Sequence, residues 1–143
     1  MPGNPAEWVL RKLGDTIADL ESRVAAFQAR VAKGDIAWAI DSDGEAAIAA
    51  QRSLESLRPL RDTAAREDSP PTPTGLQFLF EDASAILLGK LLKAPWREVS
   101  SSPVGLMKAV GTANGIAHAH AVCEQVVNHL RSRRMAAGCP PGI

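Results

Sequence analysis

The sequence predicts an all-α protein: an antiparallel helical hairpin with coiled-coil-like heptad packing, followed by a second helix pair. Three observations carry this prediction. Hydrophobic residues make up 45% of 143 positions but aromatics only 4%, so the core is built mainly from Leu, Ile, Val and Ala. That composition suits helices better than a β-sandwich, which draws on aromatic strands. Leu10, Leu13, Ile17, Leu20, Val24, Phe27 and Val31 follow one another at spacings of 3, 4, 3, 4, 3, 4, a heptad seam. The Pro-rich stretch 67–75 then separates two halves, and neither shows strand-like alternation.

The first helix is expected over 5–33. Its seam lies on one side, and Arg11, Lys12, Asp15, Asp19, Glu21, Arg23 and Arg30 cover the others. Glu7–Arg11 and Asp19–Arg23 are i,i+4 pairs in the favourable acidic-first order. Pro5 fits a first turn, and Lys33-Gly34 fits a last turn followed by a C′ glycine.

The second helix is less regular. Ile36, Ile40, Ala47, Ala50, Leu54 and Leu57 continue a seam, but Asp43 interrupts it and Gly44 follows. The segment is therefore expected to break at "DSDG" and restart over 45–66, with Ser42 and Glu45 as a capping box. A short helical or turn segment is expected at 35–41. Pro59 is expected to end or kink the helix, because it lacks a backbone donor. The chain thus divides into a heptad-patterned hairpin (1–66), a Pro-rich linker (67–75), a C-terminal helix pair (76–134) and a tail (135–143).

The third helix, over 75–93, carries a broad apolar face of Leu76, Leu79, Phe80, Ala83, Leu87 and Leu91, joined by Phe78, Ile86, Leu88 and Leu92. The fourth starts after Pro103 and runs to about Arg134. It contains "GTANGIAHAHAVC" (111–123), within an uncharged stretch from 109 to 123. Gly111, Gly115 and Ala119 recur every four residues and form one small-residue ridge. A mid-helix glycine costs about 0.5–1 kcal/mol relative to alanine, so a close helix crossing is the expected return. A turn at Asn114-Gly115 is the alternative.

Motifs for chemistry are sparse. His118 and His120 lie about 200° apart on a helix and cannot chelate one ion. His120 and Cys123 share a face, but two ligands fall short of the four of a structural zinc site. Cys123 falls on the seam of Ile116, Val127 and Leu130, where a small buried apolar role is expected. In "DSDGE", Asp41 and Asp43 would place Ala39 and Ala50 at the anchor positions of a calcium loop, so that pattern fails. No metal site and no cofactor are expected.

Formal net charge is zero, which argues against a whole-protein basic field for nucleic acid. Residues 1–68 hold nine Lys/Arg against twelve Asp/Glu, and residues 69–143 seven against four. Arg131, Arg133 and Arg134 could touch phosphates, or could complement the dipole at a helix C-terminus. The N-terminus has neither a basic region nor an apolar stretch, so no signal peptide is expected. No run reaches the roughly 18–20 apolar residues of a membrane span, and a cytoplasmic location is the default.

The expected function is a non-catalytic assembly or adaptor subunit. It would self-associate or pack into a larger complex through the first seam (Leu10, Leu13, Ile17, Leu20, Val24, Phe27, Val31) and the ridge of Gly111, Gly115 and Ala119. Two alternatives stand beside it. One is a viral or phage particle or DNA-packaging component that contacts nucleic acid through the C-terminal arginines. The other is an accessory subunit of a larger enzyme, or a small helical enzyme using His120 and Cys123.

Overall fold

The structure is a computed structural model, and it describes residues 5–34, 42–66, 68, 72–93 and 103–136. They form four helices: α1 (Pro5–Ala32), α2 (Ser42–Ala64), α3 (Pro73–Lys93) and α4 (Pro103–Ala136). The described residues contain no strand. The all-α class and the two helix pairs are as the sequence predicts.

Local chemistry sets the ends. α1 closes at Gly34, whose φ of 74° is open to glycine at little cost; its N–H donates to the Val31 carbonyl at 3.0 Å. α3 begins earlier than expected. Thr72 is its N-cap and accepts the Gly75 N–H on Oγ1 at 2.9 Å, which makes Pro73 the first helical residue and not part of the linker. Pro103 likewise lies inside α4, and α4 runs on to Ala136. α2 starts at Ser42, so Ser42, Asp43 and Gly44 belong to its first turn and the helix begins three residues earlier than expected. Residues 35–41 and the Ser42 side chain lie outside the described residues. Pro59 does not end α2, which continues to Ala64; the Thr63 hydroxyl donates to the Pro59 carbonyl at 3.0 Å.

The helices alternate in direction, yet their packing is not that of a square bundle. In a square up-down bundle α2 and α4 are diagonal and held apart. Here α2 and α4 pack directly, with α1 on α2 and α3 on α4, and the α1·α3 and α2·α3 contacts are slight. The α2–α4 pair is parallel: Gly111 lies over Glu45 and Ile48, and Gly115 over Ala49 and Arg52. The bundle tapers. Val9, Leu13, Ile17, Leu57, Leu76, Phe80 and Val126, the largest fully buried side chains, all lie at the end where α1 and α3 begin and α2 and α4 finish. The other end is closed with Ala47, Ala50, Ala109, Ala113 and the two glycines.

The α1 seam shows the same taper. Leu13, Ile17 and Leu20 are buried against the core, each contributing about 1.5–3 kcal/mol by burial. Val9 takes the inward position expected of Leu10, which is half-buried. The helix period of 3.6 residues drifts against a strict heptad, and the seam's first residue turns off the core line. Val24, Phe27 and Val31 are half-buried beside an open cleft of about 350 Å³, because Gly44 and Ala47 of α2 are too small to cover them.

Candidate functional site

The stretch 111–123 is one unbroken piece of α4. Its glycines mark a close approach to α2. A Cβ on Gly115 would sit 2.5 Å from the Ala49 carbonyl oxygen and 2.6 Å from Arg52 Cβ. One on Gly111 would sit 2.9 Å from the Glu45 carbonyl oxygen and from Ile48 Cγ2. Neither spacing is tolerated by a real side chain, so these positions admit only glycine at the present separation. Ala119 continues the ridge and is fully buried. The ridge is thus occupied by α2 of the same chain, as the inward half of the α1 seam is occupied by the core.

The histidines separate as the helical geometry requires. His118 Nδ1 lies 2.8 Å from Ser53 Oγ on α2. Burial holds its pKa below the ordinary value, helped by Arg23 and Lys12 and opposed by Asp19. His118 also borders a cleft of about 300 Å³ where α1, α2 and α4 meet, with Asp19, Arg23, Glu45 and Asn114 on its walls. The polar groups there are engaged with one another. Arg23 pairs with Asp19 at 3.0 Å, and the Asn114 amide donates to Glu45 at 3.3 Å. Ser53 resembles a nucleophile beside a base, but it is fully buried, and a nucleophile must reach its substrate.

His120 lies 3.6 Å from Glu124 of its own helix, which accepts the hydroxyl of Ser84 on α3 at 2.5 Å. Cys123 is fully buried, and loss of solvent with the nearby Glu124 pushes its thiol up to about 12. A thiolate is the reactive form, so this sulfur is chemically quiet at neutral pH. His129 stacks on Trp8 of α1, with centroids 3.6 Å apart and planes 7° from parallel. Its Nε2 is buried without a hydrogen-bond partner among the described residues. Burial, then Arg133, lowers its pKa. Nothing in the sequence links Trp8 to His129, because no spacing joins residues so far apart in the chain.

Among the described residues no three His, Cys, Asp or Glu side chains gather around one point. Arg131 is committed to Glu81 of α3 at 2.9 Å, and the Arg134 side chain lies outside the described residues. Asp41 and the side chain of Asp43 lie outside them too. No described helix is long and apolar enough to cross a membrane.

What remains is a surface. α3 buries Leu76, Gln77, Phe80, Ser84 and Leu87 against its neighbours. Its opposite side presents Phe78 at 61%, Ile86 at 60%, Leu88 at 43% and Leu92 at 74% exposure. Gly89 and Ala85 lie between them, and a Cβ on Gly89 would meet nothing within 4 Å. In the sequence all these apolar residues form one broad face. The fold divides them into an inner stripe and an outer one.

The fold defines the class, an all-α bundle of four helices welded through a glycine-lined α2–α4 contact. No protein-family model, no curated protein and no solved structure matches the chain.

Proposed function

We propose that this protein is a non-catalytic assembly or adaptor subunit of the cytoplasm that works through the outer face of α3. One observation carries the reading: four large apolar side chains, 43–74% exposed, stand on one side of a single helix. Water wets such a patch at a free-energy cost, and patches of this kind mark protein contact sites. The two residues nearest to nucleophiles, Ser53 and Cys123, are sealed in the core.

The test is a photo-crosslinking amino acid at Leu88, incorporated in the native host. Covalent adducts of discrete mass above the 15.1 kDa chain are expected, and a second change, Leu92→Glu, should remove them. A chain that yields no adduct overturns the reading.

A further inference from the structure

We infer that the occupant of this face is a second copy of the same chain, docked antiparallel through α3 about a two-fold axis near Ile86. The inference rests on the assembly reading above and adds the partner and its orientation.

Charge selects the arrangement. Glu81 and Asp82 lie in the first half of α3, Lys90 and Lys93 at its end. Glu81 is taken up by Arg131, but Asp82, Lys90 and Lys93 are exposed on the outer side. At about 100° per residue, Asp82, Ile86, Lys90 and Lys93 all fall on one flank of the line through Phe78, Ala85 and Leu92. An antiparallel two-fold pair sets like flanks together, since such an interface is isologous. Asp82 of one copy then meets Lys90 and Lys93 of the other, twice over. A parallel two-fold pair sets opposite flanks together, so Asp82 of one copy meets neither Lys90 nor Lys93 of the other.

Shape agrees with charge. Residue 86 is the midpoint of Asp82 and Lys90, and Phe78 then lies within two residues of level with Leu92 of the other copy, roughly 3 Å along the axis at 1.5 Å per residue. Ala85 and Gly89 at the centre leave room for close approach, as Gly111 and Gly115 do for α2. Each copy offers on the order of 400 Å² of apolar surface, and two copies bury a total at the low end of specific interfaces. The dimer is therefore reversible and concentration-dependent.

Sedimentation velocity of the full chain across the micromolar range tests the dimer, and engineered cysteines test its direction. A monomer–dimer equilibrium is expected. Asp82→Lys alone, or Lys90→Glu with Lys93→Glu, should each weaken it about tenfold, and an equimolar mixture of the two variants should restore it. In a Cys139→Ser background, Phe78→Cys mixed with Leu92→Cys should cross-link on mild oxidation, while Phe78→Cys alone should not. Circular dichroism confirms that each variant is folded. Self-linking of Phe78→Cys, or a mixture no tighter than its components, overturns the antiparallel dimer. A monomer at every concentration that still gives Leu88 adducts with a different protein removes the dimer and leaves the assembly reading intact. A monomer with no adduct removes both.

Discussion

At the scale of single residues, close approach and desolvation decide the behaviour. Gly115 lies against the backbone of α2, whereas Gly14 in α1 has nothing within 4 Å of a Cβ. Gly115→Ala must push α2 and α4 apart and is expected to lower stability by about 1–3 kcal/mol. Gly14→Ala meets open space and should raise it by about 0.5–1 kcal/mol through helix propensity. Urea denaturation of both variants measures the contrast; equal effects would mean that the crossing is not tight. The two lowered histidines set a pH dependence. The unfolded chain takes up protons near 6.5, while His118 and His129 in the fold resist them. Their contribution is complete above that value and is lost as pH falls toward the folded pKa values. His129→Gln is therefore expected to flatten the slope of stability against pH just below 6.5, and an unchanged slope would count against the effect. The folded environment differs between them: His118 feels Arg23, Lys12 and Asp19, and His129 feels Arg133.

At the scale of elements, the position of a residue along the taper matters more than its place in the heptad. Leu13 and Val31 belong to the same α1 seam. Leu13 is fully buried at the thick end, and Val31 borders the open cleft beside Ala47. Leu13→Ala is expected to cost about 2–5 kcal/mol. Val31→Ala should cost well under half as much, since its side chain already touches water. Thermal melts of the pair check this, and similar losses would mean that the cleft is closed in solution. α3 shows how much of a helix the sequence makes legible. Its length and apolar surplus are plain from 76 to 92, but only the neighbour it lies on decides that Leu76, Phe80 and Leu87 are inside while Phe78 and Leu92 are outside. Its start is not legible in the sequence, because Pro73 has the composition of the linker and only the Thr72 cap makes it the first helical residue.

At the scale of the molecule, the α2–α4 contact joins the two hairpins across the Pro-rich segment. Ser53–His118 and Asn114–Glu45 bridge the same two helices. A single cooperative unfolding transition is expected, with far-UV circular dichroism and tryptophan fluorescence coincident. Trp8 on α1 stacks against His129 on α4, so its fluorescence reports on both hairpins at once. Two separated transitions would show that the hairpins are independent.

The sequence by itself determined the class and the four helices to within a few residues, and it pointed to a buried Cys123 and to close packing at the α4 glycines. Periodicity, caps and intrinsic propensity act over three or four residues, and all of these can be read along one strand of text. Only the tertiary structure decided that α2 is the helix filling the glycine ridge, that His118 rests on Ser53, that His129 stacks on Trp8, and that the outer stripe of α3 is left facing water. Those outcomes depend on which helices become neighbours. Neighbours are chosen by total burial over the whole chain, a quantity that no local pattern contains.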